Sequence, residues 1–422
     1  MLAMAQHGNG TTGREQDETM AETDSMPWGG PLKGIRVLDL SRVLAGPFAS
    51  QMLADLGAEV IKVEPPAGDD TRHFPPLREG VSHYFLSVNR SKKSIVVDLK
   101  TEEGAAIVRE LAAASDILIE NYRPGVMDRL GLGYERLAAD NPGLIYCAIS
   151  GFGLTGPLRD RPSFDIVVQA LSGALSVNGE AGREPTKLGI PLGDLVGGVY
   201  GPIAILAALH ERAATGKGRL IDISLMDGMI GMLGYLAQLA FYTGENPKPQ
   251  GSEHPNLTPY GLYEAKDGAI VIACLTDAFW HRVCGALGLD EARADPRFAT
   301  IQGRKDHRPE VTAAIVARTS RLTIAELESI LTEHHVPHAP VLGVQAALAH
   351  PHTVARGMVV ETDHPVLGRV PIVAPSFKFA GETLPTPGCP PTLGQHSDEV
   401  LETILGRDAD EIARLKAAGV IV

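Results

Sequence analysis

Three carboxylates stand near one another in the middle of the chain: Asp165, Glu180 and Asp194. A carboxylate held near backbone amides can act as a nucleophile or as an acid/base group. Asp194 lies in LGIPLGDLVGGVYG, where an apolar stretch ends at Gly193 and a helix is expected from about Leu195. That places it at a strand-to-helix junction, beside N-terminal amides that stabilise negative charge. An ordinary N-cap is the competing reading. Asp165, in RPSFDIVVQALSG, is expected to open a helix, with a cap as its plain alternative. Glu180, in VNGEAGREP, falls on a glycine-rich loop, where a solvated charge is the default. A second set of residues suits an anionic ligand. Arg42 follows the first apolar strand, Arg90, Lys92 and Lys93 form a basic knot before another, and Lys100 ends it. Asn121, Tyr122 and Arg123 follow a strand ending at Glu120, with Arg129 one or two turns on. An aromatic ring between polar and basic residues suits a nucleobase. His334, His335 and His338 hint at a metal, but Pro337 and Pro340 make that segment a turn, and no metal site is expected.

The elements that must position these residues alternate. Residues 34–66 read as strand (35–40), small-residue helix (47–56) and strand (59–63), one βαβ unit of a parallel sheet with a crevice at the strand's carboxyl end. The stretch carries neither G-x-G-x-x-G nor G-x-x-x-x-G-K-[ST], which weakens the usual nucleotide readings. Strands are expected again at 94–99, 116–119, 144–149 and 220–223, with helices at 101–114, 163–176 and 195–213, giving a doubly wound, Rossmann-like α/β domain. From about residue 224 the texture changes to two strands and three amphipathic helices, a smaller α+β domain. The expected division is a disordered extension (1–27), the large domain (28–223), the small domain (224–338) and a return to the large domain (339–422). The Met- and Leu-rich segment after Leu220 is either core or subunit interface. The loop 251–259, punctuated by Gly and Pro, is expected to act as a lid.

The 422 residues are enough for two domains. A net charge of -13 argues against a nucleic-acid surface. No apolar run long enough to span a bilayer is evident, so no membrane partner is expected. The four cysteines are scattered, which suits reduced thiols in a cytoplasmic enzyme.

Several motifs, in one order from Pro31 to the C-terminus, resemble the class III CoA-transferase family (CaiB/BaiF type): RVLAGPF (42–48), VNRSKKSIVVDLK (88–100), ENYRPGVMDRLGLGYE (120–135), ISGFGLTGP (149–157), GKGRLIDISLMD (216–227) and LGQHSDEVL (393–401). The resemblance implies CoA esters as substrates rather than a tightly bound cofactor, a small carboxylic acid as second substrate, and an interlocked homodimer. By position it assigns CoA contacts to Arg42, Val43, Leu44, Ala45, Val97, Lys100, Asn121, Tyr122 and Arg129. It implies CoA transfer from a succinyl-CoA-like donor to a small, dicarboxylic acid through mixed anhydrides and an aspartyl–CoA thioester. The chain departs from formyl-CoA transferase at Leu44 and Ser150, which argues against a formyl/oxalate pair. It also has Gly182 where that enzyme has its loop nucleophile, so Asp194 ranks first as nucleophile, with Glu180 and Asp165 behind it. The α-methylacyl-CoA racemases of the same fold carry a His-Asp pair where this chain has Phe164-Asp165, which removes one proton carrier. A non-catalytic CoA-binding protein is the remaining alternative.

Overall fold

In the computed structural model, residues 29–382 and 384–422 are described; the extension 1–27 lies outside them. Six strands form one wholly parallel sheet: β1 (Arg36–Asp39), β2 (Glu59–Glu64), β3 (Lys92–Val96), β4 (Ile117–Glu120), β5 (Ile145–Ser150) and β6 (Arg219–Ser224). Their order across the sheet is β3-β2-β1-β4-β5-β6. β1 pairs in parallel with β2 on one side and β4 on the other, Val37 lying opposite both Val60 and Ile117. Winding reverses between β1 and β4, the place where doubly wound sheets open a crevice beyond the strands' carboxyl ends. The chain is therefore a mixed α/β fold around a central parallel sheet.

The third strand starts two residues earlier than its apolar pattern suggests, and ends at Val96 rather than residue 99. Two lysines at its start look like loop, but Lys92 is buried against Asp39 and Lys93 reaches Glu59 and Glu399. After Val96 the chain turns to the C-terminal segment: Val97 bridges to Ile421 and the Asp98 amide donates to the Val420 carbonyl.

Helices cover both faces. α1 (Ala45–Asp55) follows β1 directly. α2 (Asp165–Leu171) is shorter than its sequence pattern, because Gly173 turns the chain with φ +86. α3 (Leu192–Thr215) starts three residues before the expected position. α3 is the one described helix long and apolar enough to cross a membrane by length and composition. It lies on the sheet, with Val196, Ile205 and Ala208 buried among Ala49, Ile149 and Ile221. Gly197 and Gly198 serve this packing rather than a ligand. A Cβ on Gly197 would stand 2.2 Å from Leu225, and one on Gly198 2.9 Å from the Ala45 carbonyl.

α4 (Leu225–Met232) buries Leu225 and Met229 in the same core, and α5 (Tyr235–Thr243) follows it with no buried residue. A separate core, built on Trp280, Val283, Leu287, Val311, Ile315, Leu327 and Leu331, underlies an antiparallel sheet of Tyr260–Ala265, Gly268–Ala273 and His338–Pro340. The chain then returns. Ser397–Leu405 and Ala409–Ala417 place Val400, Leu401, Ile412 and Leu415 against Leu38, Ile61 and Ile95 of the parallel sheet.

Candidate active site

A cavity of about 420 Å³ opens at the β1/β4 switch point. The turn after β1 supplies Arg42, Val43, Leu44 and Ala45; the turn after β4 supplies Asn121, Tyr122 and Arg123. The far wall holds Arg159, Arg161, Phe164 and Asp194. The two turns are stitched together: the Asn121 side chain accepts from the Arg42 amide at 2.8 Å and donates to the Arg42 carbonyl at 2.7 Å. The Arg42 guanidinium lies 5.3 Å from the centre of the Tyr122 ring and 3.4 Å from Asp70. One wall is thus cationic and aromatic, and four arginines border the space, which suits a phosphate-bearing, elongated ligand.

Asp194 sits in the first turn of α3, whose N-cap position is Pro191. It is therefore neither the cap nor at a strand end, since residues 178–191 form no strand. The capping work falls to Asp165. Its Oδ1 accepts from the Gly193 amide at 2.8 Å and its Oδ2 from Gln169 at 2.6 Å, while Gln169 accepts from the Leu188 amide at 3.0 Å. A Cβ on Gly193 would lie 3.0 Å from Asp165 Oδ1, so glycine permits this approach. Burial, and secondarily the Asp165 charge, raise the Asp194 carboxyl to about 7. A carboxylate of raised basicity is a better nucleophile, and it remains substantially ionised near neutrality.

Glu180 is exposed and does not border the cavity; its carboxylate lies against the turn at Gly251. Gly182 adopts φ +72, a conformation that favours glycine. Among the expected CoA contacts, Arg42 to Ala45, Asn121 and Tyr122 line the cavity, whereas Val97, Lys100 and Arg129 do not. Val97 is fully buried and its amide donates to the Glu64 carbonyl, so its side chain cannot meet a ligand. Lys100 and Arg129 are exposed, Lys100 four residues after the end of β3 and Arg129 at the end of the short helix Val126–Arg129 that follows β4.

The basic knot is structural. Arg90 forks onto Asp55, and Lys92 donates to Asp39, Pro47 and Asn89. The residues 251–259 are pinned rather than free. Arg308 binds Glu253 and the His254 and Pro255 carbonyls, Lys305 binds Asn256, and none of them borders the cavity. His334 and His338 hydrogen-bond the backbone carbonyls of Ile330 and Val336.

Sequence reasoning missed the ions beneath the β1 turn. Lys62 and Asp69 form a fully buried pair at 2.9 Å, and Glu64 binds Arg72 at 2.7 Å. A lysine between the apolar Ile61 and Val63 of the strand EVIKVE was the available signal, since a buried ammonium requires a partner.

Residues 32–397 match the sequence model of CoA-transferase family III. The chain is 38% identical over 412 residues to the succinyl-CoA:glutarate CoA-transferase of Mus musculus, covering 97% of this chain and 93% of that protein. It is 38% identical to the succinyl-CoA–D-citramalate CoA-transferase of Chloroflexus aurantiacus, covering 93% and 98%. A crystal structure of a CAIB/BAIF family protein from Brucella suis superposes with a TM-score of 0.81 at 40% identity, covering 89% of this chain and 99% of that one. With a parallel sheet of this order, a cavity at its switch point and this likeness along its length, the chain belongs to CoA-transferase family III and is a CoA-transferase.

Proposed function

We propose that the protein moves CoA from a succinyl-CoA-like donor to a small dicarboxylic acid, with Asp194 as nucleophile. One observation carries the reading: Asp194 is the carboxylate among the three candidates that borders the cavity lined by Arg42, Asn121 and Tyr122. The names of the relatives from mouse and Chloroflexus favour a succinyl donor and a dicarboxylic acceptor. Arg42 holds CoA phosphate and Tyr122 stacks on adenine; Lys100 and Arg129 reach the outer part of the ligand.

The Asp194 carboxylate attacks the donor thioester carbonyl, and CoA leaves as thiolate. This gives an anhydride between Asp194 and the donor acyl group. The thiolate attacks the Asp194 carbonyl of that anhydride, releasing the donor acid as carboxylate and leaving an Asp194–CoA thioester. The acceptor carboxylate attacks this thioester, expelling the thiolate again and forming the acceptor anhydride. Attack of the thiolate on the acceptor carbonyl yields acceptor-CoA and restores Asp194. No proton is gained or lost overall.

A homodimer fits this reading. α5 has no buried residue, and Phe241 and Tyr242 are 81% and 88% exposed, beside exposed Tyr235 and Met232. An apolar patch of that kind is covered in most proteins. The test of function is incubation with succinyl-CoA and a panel of mono- and dicarboxylic acids, read by mass spectrometry. New acyl-CoA formed selectively from dicarboxylates supports the reading; an epimerised donor, or an unchanged one with every acid, sinks it.

A further inference from the structure

The turn between β1 and α1 is held by side chains at every backbone polar group from Ser41 to the Val43 amide. Asp39 accepts from the Ser41 amide at 3.0 Å, and Lys62 donates to the Ser41 carbonyl at 2.8 Å. Asn121 takes both the amide and the carbonyl of Arg42. Both oxygens of Asp69 accept from the Val43 amide at 3.3 Å. Val43 has φ +67, and a β-branched residue in the left-handed region is strained. Such strain persists only where surrounding structure over-determines it, and it concentrates at functional sites. Here Val43 and its neighbours Arg42, Leu44 and Ala45 border the cavity.

We propose that Asp69 is a positioning residue for CoA binding: anchored by Lys62 and Thr71, it holds Val43 in its left-handed conformation and thereby aims Arg42 and the first residues of α1 at the ligand. The proposal rests on the reading of this cavity as the CoA site. Asp69 touches no cavity space itself. It is fully buried, 2.9 Å from the Lys62 ammonium, and accepts from the Thr71 amide at 2.9 Å and the Thr71 hydroxyl at 2.8 Å. Its own amide donates to Glu64, which Arg72 locks in turn with two bonds at 2.7 Å. Burial opposes its charge, but Lys62 and Thr71 overcome this and keep the carboxyl at about 2. A permanently ionised, immobile acceptor of this kind is what a strained amide needs. Glycine at position 43 would adopt the same φ without support. The strain, and with it the need for Asp69, is a property of the valine side chain.

That difference gives the experiment. CoA itself is the probe, and its affinity for the full chain is measured by calorimetry, with thermal melts as a check on folding. Asp69→Asn is expected to weaken CoA about tenfold, the scale of one lost charge-assisted hydrogen bond. Adding Val43→Gly to Asp69→Asn should bring the affinity back to within about threefold of Val43→Gly alone. Thr71→Val, which removes only the hydroxyl that orients Asp69, is the milder probe should Asp69→Asn fail to fold. It should move affinity in the same direction and be rescued in the same way. A folded Asp69→Asn protein with unchanged CoA affinity overturns the proposal. So does a loss in either variant that Val43→Gly leaves uncorrected, because Asp69 would then act only through the buried ion pair. Wild-type protein that binds no CoA would instead defeat the assignment of the cavity.

Discussion

At the residue scale the account turns on one carboxyl group. The nucleophile must be ionised, and burial with the Asp165 charge places the Asp194 pKa at about 7. Activity should therefore fall as pH drops below about 7, where an ordinary carboxylate would stay active to about pH 5. A kcat/KM profile against pH checks this. The same shift has a stability consequence. The folded pKa lies above the unfolded value, so the folded state binds more protons between the two, and stability decreases as pH rises through that window. Asp194→Asn should thus stabilise the fold more at pH 8 than at pH 5, by an amount on the order of 1 kcal/mol, seen as a larger rise in melting temperature at the higher pH. Sequence singled out Asp194 as standing at a strand-to-helix junction, whereas it lies in the first turn of α3, with no strand before it. Sequence could not show that Asp165 supplies the helix cap, because that bond spans 28 residues and needs the folded chain.

At the element scale, the β1–α1 turn carries much of the site. Its close contact with the following helix requires glycine. A Cβ at Gly46 would stand 2.2 Å from Ser41 Cβ, so Gly46→Ala should cost about 2 kcal/mol or more and weaken CoA binding together. Urea melts and calorimetry on that variant measure the two effects. Replacing Lys62 with Met leaves Asp69 buried without its ion, at a cost of about 3–5 kcal/mol. Strand positions were legible from apolar runs to within about three residues. The errors fell where charge overrides pattern: Lys92 and Lys93 read as loop but belong to β3, because Asp39, Glu59 and Glu399 neutralise them. Pattern also suggested a lid at 251–259; its residues do not border the cavity, and Arg308 and Lys305, some 50 residues on, hydrogen-bond that segment.

For the whole molecule, a parallel sheet was readable from alternating elements; its order, β3-β2-β1-β4-β5-β6, was not, because strand neighbours are set by packing between distant segments. The assembly is the proposal that extends furthest from a single chain. Phe241 and Tyr242 project from α5, and Tyr235 and Met232 flank them. Replacing Phe241 and Tyr242 together by Ser should convert a dimer into a monomer in sedimentation experiments. The wild-type chain sedimenting as a monomer would remove the dimer from the account without touching the site. The central claim, covalent transfer through Asp194, is tested most directly by trapping. The protein is mixed with succinyl-CoA, quenched with hydroxylamine, digested and sequenced by mass spectrometry. The account predicts a hydroxamate on Asp194 and none in Asp194→Asn, which should fold but transfer no CoA. A hydroxamate on Glu180 or Asp165, or transfer that survives Asp194→Asn, would contradict it.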